Sequence, residues 1–78
     1  MISPSAIREH MEVVGSDEHH VGRVDKVMGS EIELAKLDFA AGFKHRLIPL
    51  SWVKFVDQDK VRLTMTADAA RSAWSVKH

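Results

Sequence analysis

The residues in this chain with the widest chemical capability are its five histidines and the carboxylates near them. His19 and His20 are adjacent and directly follow Asp17 and Glu18. Imidazole nitrogens and carboxylate oxygens are metal ligands, so a metal-responsive protein that uses this turn is one hypothesis. Adjacent side chains on an extended segment point to opposite faces, however, which disfavours two consecutive histidines sharing one ion. We therefore predict a solvated polar turn with no metal and no cofactor. The remaining histidines are His10, His45 and His78.

Acid–base catalysis is the second chemistry that the residue types allow. It needs titratable groups positioned within hydrogen-bond reach in a cleft. The aspartates instead fall at predicted turns or on charged strand faces, and the sequence has no nucleophile elbow and no phosphate-binding glycine loop. The short strands described below predict a small closed or nearly closed sheet, and a barrel of that size fills its own interior with side chains. We predict that the protein is not an enzyme and has no catalytic residues. The aspartates considered are Asp17, Asp25, Asp57 and Asp59.

Aromatic side chains are the remaining candidates for a binding surface, and all four considered lie in or beside predicted loops and ends: Phe39, Phe43, Trp52 and Trp74. Tryptophan is enriched at binding hot spots. Phe43, Lys44, Trp52 and Trp74 are therefore candidate partner contacts. For the two tryptophans, burial as lids over the barrel ends is the favoured alternative, whereas Phe43 is predicted to be exposed.

A short basic cluster, Lys44, His45 and Arg46, is able to contact phosphate. Acidic residues are plentiful around it, and the aromatic residues are not interleaved with basic ones. We therefore predict no strong nucleic-acid binding. A weak RNA- or ribosome-associated factor remains an alternative function.

Composition limits the class of protein. A chain of 78 residues, 45% of them apolar, predicts one folded domain over residues 1–78. Eleven basic residues balance eleven acidic ones, which favours self-association, and we predict a homodimer. There is no cysteine, no signal-like N-terminus and no apolar run of membrane-spanning length. These features predict a cytoplasmic protein without membrane insertion.

The chain is organised around a predicted β-hairpin over residues 12–28. Gly15 and Asp17 form its turn, because glycine adopts positive φ at little cost and aspartate hydrogen-bonds its own backbone. In the second strand, over residues 21–28, the apolar positions recur every three residues and so break strict alternation. Together with Gly22 this predicts a bulged strand. The three positions are Val21, Val24 and Val27.

Further short strands and two short helices complete the prediction. In residues 31–34 the apolar Ile32 and Leu34 alternate with Glu31 and Glu33. This pattern predicts a half-buried strand whose glutamates face solvent. A strand over residues 45–49 has Pro49 at its end or on an edge, because proline cannot donate to a ladder. A corner over residues 50–52 leads into strands over 53–56 and 61–65. The helices are an N-terminal one, capped by Ser3 and lasting to about His10, and a C-terminal one, capped by Thr66 and carrying Ala67, Ala70 and Trp74.

This pattern resembles the PRC-barrel superfamily, and more closely its small single-domain bacterial members of unknown function. The resemblance is carried by residues 11–17, 21–27, 48–53, 56–57 and 61–63. It implies a mostly β fold: a small, strongly bent β-barrel of about five or six strands with short N- and C-terminal helices. Characterised members resemble adaptors on a photosynthetic complex or in ribosome maturation, and the family offers no shared catalytic residue.

The resemblance has one local exception, in the hairpin turn. Many relatives have a glycine after the aspartate, where this chain has Glu18, His19 and His20. Taking the residues and the resemblance together, we predict a non-enzymatic binding or assembly module whose protein partner is unknown.

Overall fold

A computed structural model describes residues 6–35, 46–57 and 59–76. These residues form a mostly β fold with one short C-terminal helix. In chain order the elements are β1 (Glu12–Val14), β2 (His20–Met28), β3 (Glu31–Leu34), β4 (Arg46–Pro49), a 3₁₀ turn (Leu50–Trp52), β5 (Val53–Asp57), β6 (Lys60–Leu63), α1 (Ala67–Ala73) and β7 (Ser75–Val76).

The strands form one sheet in the order β5-β6-β1-β2-β3-β4-β7. All neighbouring pairs are antiparallel except β1 and β6, which run parallel. β2 is the longest strand, and it pairs with β1 through its first half and with β3 through its second half. Over the described ranges no ladder joins β5 to β7, so the sheet is open there and the closed barrel stays a prediction.

β2 contains two bulges, which confirms the prediction of a bulged strand. Val21 is the extra residue against β1, and Asp25 is the extra residue against β3. Because each bulge inserts one residue, successive inward-facing side chains are three positions apart there rather than two. Val21 and Val24 are buried and Val27 packs against the core. The three-residue spacing of these valines therefore belongs to a strand, not to a helix face.

The core lies on the inner face of the sheet. Its fully buried side chains include Val13, Ile32, Ile48, Val61 and Leu63. Ala67 and Ala70 of α1 pack onto the same cluster, because their small side chains allow the helix to approach closely. Thr66 caps α1 as predicted: its Oγ1 accepts a hydrogen bond from the backbone N–H of Ala69 at 3.2 Å.

Three other local predictions have definite outcomes. Pro49 ends β4, and the corner after it is the 3₁₀ turn, both as predicted. Trp74 does not continue the helix but adopts an extended C-cap conformation that leads into β7, a strand that the sequence did not suggest. The strand predicted over residues 61–65 ends earlier, at Leu63.

Two predictions were wrong. The N-terminal helix does not reach His10: residues 7 and 8 are not helical, and Glu9 and His10 form a turn in which His10 has a φ of 72°. Residues 1–5 of that helix lie outside the described residues. Glu33 was expected to face solvent but is only 1% exposed. It lies in the middle of the sheet, between Lys26 of β2 and Leu47 of β4.

No helix of the described residues is both long enough and apolar enough to cross a membrane.

Candidate functional site

The turn between β1 and β2 packs directly on the start of α1. A Cβ atom added to Gly15 would lie 2.3 Å from the backbone nitrogen of Ala67 and 2.8 Å from the carbonyl carbon of Thr66. The backbone N–H of Ser16 donates to the carbonyl of Met65 at 2.7 Å. Gly15 does not have positive φ, so the reason predicted for this glycine was wrong. It is required because the helix backbone occupies the space of a side chain.

Asp17 joins the turn to the helix. Its Oδ1 accepts hydrogen bonds from the backbone N–H groups of His19 and Ala67, both at 3.3 Å. Burial raises the pKa of the Asp17 carboxyl, but these donors, its own N–H and the nearby His19 imidazole together outweigh burial. The net pKa lies below its ordinary value. The sequence placed Asp17 at a turn correctly; it gave no sign of the contact with a residue fifty positions away.

The left-handed position in this turn belongs to Glu18, whose φ is 67°. A non-glycine residue in this region is strained, and it keeps this conformation only where interactions with its surroundings offset the strain. Glu18 forms an ion pair with Arg62 of β6, with 3.0 Å between Oε1 and Nη1. Glu18 therefore combines a strained backbone with an ion pair to a neighbouring strand.

The two adjacent histidines contact different carboxylates. The Nδ1 of His19 lies 3.2 Å from Asp17, and the Nδ1 of His20 lies 3.0 Å from Glu12 on β1. The guanidinium of Arg71 on α1 also donates to the backbone carbonyl of His20. Among the residues that the structure describes, no group of three or more histidine, aspartate and glutamate side chains is arranged to hold a metal ion.

The predicted partner contacts fall into two groups. Trp52 and Trp74 are half-buried and pack against the core, and the guanidinium of Arg46 lies 5.3 Å from the ring centroid of Trp74. These positions suit lids on the core more than free contacts. Phe43 and Lys44 lie outside the described residues.

Gly22 is paired with Val13, directly beside the Val21 bulge. An added Cβ would approach the Leu34 side chain to 3.1 Å, so this glycine makes room for a core residue. Gly22 thus lies beside the predicted bulge, and the structure gives packing as the reason for it.

A surface that the sequence did not suggest lies on the outer face of β5 and β6. Phe55 is the one large apolar side chain that is exposed among the described residues, at 38%. The Arg62 guanidinium lies 5.5 Å from the centroid of the Phe55 ring and also forms the ion pair with Glu18. We call Phe55, Arg62 and Glu18 the outer-face cluster.

Phe55 faces outward because β5 also contains a bulge. Val53 pairs with Leu63 and Phe55 with Arg62, so Lys54 is the extra residue. Strict alternation would place Phe55 on the same face as buried Val53; the bulge instead returns Val56 to the inner face. The only sequence signal is the three-residue spacing of Val53 and Val56, the same spacing that β2 uses.

An open groove of about 560 Å³ lies beside the turn at His10. Its charged lining is mixed in sign: three basic residues (Arg8, Arg23 and Lys60) lie next to three acidic ones (Glu9, Glu12 and Asp59). Arg8 and Asp59 approach to 3.9 Å, and Arg23 donates to the carbonyl of His10 at 3.2 Å. These charges balance one another, so the groove does not favour a ligand of either sign.

Comparison with known families gives a match over most of the chain. A family model described as an uncharacterized protein conserved in bacteria, DUF2171, matches residues 7–71. The chain belongs to the DUF2171 family. In this DUF2171 protein the match includes the β1–β2 turn, the outer-face cluster and most of α1. Searches of curated proteins and of solved structures find no match. The resemblance to PRC barrels and the function it implies stay predictions.

Proposed function

We propose that this DUF2171 protein is a non-enzymatic protein-binding module that assembles with a protein partner through the outer face of β5 and β6. The observation that carries the proposal is the exposure of Phe55 on a strand at the edge of the sheet. Aromatic and arginine side chains are enriched at the energetic centres of protein interfaces. Here one of each is stacked on the other.

The outer-face cluster is already arranged before any partner binds. Arg62 contacts both Phe55 and Glu18, and its side chain is only 19% exposed. A side chain that is held in place loses less conformational entropy on binding than a free one. The cluster therefore combines an exposed apolar side chain with an ion pair that is already formed, which suits a partner that presents apolar and polar groups.

The edge position adds a second mode of recognition. Among the described residues only β6 pairs with β5. The outer edge of β5 therefore offers backbone N–H and C=O groups that an added strand can pair with. Backbone pairing supplies affinity in such complexes, and the side chains of the edge strand supply specificity.

A PRC-type architecture is part of this proposal, in an open form with β5 and β7 as its edges. The division of β2 between two half-sheets supports it, because a bulged central strand allows a strong bend. We expect cross-strand NOEs between β4 and β7 and none between β5 and β7. A continuous β5–β7 ladder would contradict the open form. The bacterial cytoplasm remains the predicted location.

Site-specific photo-crosslinking in bacterial cells tests the proposed surface. The chain would carry benzoylphenylalanine in place of Phe55 and, as the matched control, in place of Ser30, an exposed residue in the turn between β2 and β3. We expect discrete protein adducts from position 55 that position 30 does not give. Equal yields and equal masses at the two positions would refute the proposed surface.

A further inference from the structure

We infer that the strand that pairs with the β5 edge belongs to a second copy of this chain, which runs antiparallel to β5 across a two-fold axis at Val56. The inference rests on the proposed function and deepens it by naming the partner.

Symmetry requires the residue on the axis to pair with its own copy, and Val56 suits this position. A two-fold interface is self-complementary, so the residue on the axis of two antiparallel strands faces its own copy. Because a two-fold axis perpendicular to the sheet leaves each face unchanged, facing residues must share a face. Val56 is half-buried on the inner face and packs against the core. A pair formed by Val56 and its copy continues the apolar inner face from one chain to the next.

The bulge then determines what lies on either side of the axis. Lys54 and Phe55 together oppose a single residue of β6, so they occupy one step of the ladder. Asp57 lies one step away from Val56 in the other direction. With the axis at Val56, Lys54 and Phe55 of one chain face the partner's Asp57, and the same contact occurs twice.

These facing residues are complementary in charge. Lys54 and Asp57 are both exposed on β5. In the inferred dimer Lys54 of one chain lies opposite Asp57 of the second copy, so each charge faces one of opposite sign. Cross-strand pairs of opposite charge stabilise a sheet and like charges directly opposite destabilise it. An axis at Lys54 or at Asp57 would oppose like charges. The whole chain has no net charge, so long-range repulsion between copies does not oppose the pairing.

The interface formed by a five-residue strand is small, so we expect a reversible dimer whose population depends on concentration. Sedimentation analysis of three variants tests the pairing. Lys54→Glu places acids opposite acids, and Asp57→Lys places bases opposite bases. Each variant alone is expected to dimerise about tenfold more weakly than the wild type, because two opposite-charge pairs become two like-charge pairs.

Mixing the two single variants supplies the matched control. In a mixed dimer both facing pairs again have opposite charges, so equimolar Lys54→Glu and Asp57→Lys should associate with near wild-type affinity. The double variant should dimerise with itself equally well. A failure of both combinations to recover, while circular dichroism shows native melting, would overturn the proposed register.

A disulfide test is independent of the charge variants. The chain has no cysteine, so Val56→Cys introduces a single thiol. Directly facing Cβ atoms in antiparallel strands are about 4.5–5.5 Å apart, close to disulfide geometry. Under mild oxidation Val56→Cys should form a covalent dimer of twice the 8.8 kDa chain mass, and Ser30→Cys should not. Equal crosslinking of the two variants would overturn the axis at Val56.

The outcome distinguishes this inference from the proposed function. A wild-type chain that stays monomeric at its highest soluble concentration overturns the second copy as the occupant. If position 55 then still crosslinks to a different protein in cells, the protein-binding function stands and only the partner changes. If it crosslinks to nothing, both fail.

Discussion

Replacing Gly15 with alanine should strongly destabilise the fold, because the β1–β2 turn and α1 share the space of one side chain. The new Cβ would lie 2.3 Å from the Ala67 nitrogen and 2.8 Å from the Thr66 carbonyl carbon. Both neighbours are backbone atoms, so no rotamer change relieves the contact. The helix start must move away from the turn, and this movement also strains the hydrogen bond from Ser16 to Met65.

The magnitude follows from these contacts. Overpacking of this kind costs about 1–3 kcal/mol, and weakening one backbone hydrogen bond costs about 1 kcal/mol. Alanine also lowers the conformational entropy of the unfolded chain, which stabilises the fold by roughly 0.4–1 kcal/mol. We expect a net loss of about 2–3 kcal/mol in the free energy of unfolding. At about 4–8 °C per kcal/mol for a domain of this size, the midpoint should fall by roughly 10–20 °C.

Thermal and urea unfolding followed by circular dichroism measure this loss, and two other glycines serve as controls. At Gly22 an added Cβ meets a side chain rather than backbone, the Leu34 Cδ1 at 3.1 Å, so alanine there should cost less than at Gly15, about 1 kcal/mol. At Gly29 no atom lies within 4 Å, but φ is 59°, so alanine should cost about 1 kcal/mol from backbone strain alone. A Gly15→Ala midpoint equal to that of Gly22→Ala would refute the proposed contact with α1.

Three further predictions concern the same turn. Glu18 is left-handed, so Glu18→Gly should be more stable than Glu18→Ala by about 1 kcal/mol, since both lose the ion pair with Arg62 but only glycine relieves the strain; equal urea midpoints would contradict this. The folded-state pKa of Asp17 lies below its ordinary value of 3.8, so its contribution to stability is present above that pH and is lost as the pH falls through the lower folded value. Asp17→Asn should therefore flatten the acid side of the stability profile below about pH 4, and an unchanged profile would show that Asp17 has no such role. His19 and His20 contact separate carboxylates, so we expect no zinc binding that depends on them. Calorimetric titration with zinc should give the same heats for the wild type and for a variant with alanine at both positions. Saturable zinc binding by the wild type that this variant loses would restore the metal hypothesis.

Local sequence signals predicted the elements that depend on neighbouring residues. Thr66 caps α1, Pro49 ends β4 and the hairpin of β1 and β2 forms, because each depends on backbone preferences within a few positions. The strained position at Glu18 coincides with a residue that the family resemblance marked as unusual.

Features that depend on distant contacts were missed. The parallel pairing of β1 with β6 and the addition of β7 beside β4 join segments far apart in sequence. Glu33 has the alternation of an exposed position, yet neighbouring strands on both sides bury it. Gly15 was assigned to the right turn for the wrong reason, because the backbone that restricts it belongs to Thr66 and Ala67, far along the chain.

The bulge in β5 connects the fold to the proposed function. An inserted residue costs one regular pairing with β6 and changes which of the following side chains face outward. Here the insertion turns Phe55 outward onto Arg62, keeps Val56 inward, and brings Lys54 onto the step that faces the partner's Asp57 in the inferred dimer. A regular strand with the same residues would bury Phe55 beside Val53 and remove the apolar part of the surface. The proposed binding surface and the dimer register therefore both depend on one extra residue in an edge strand.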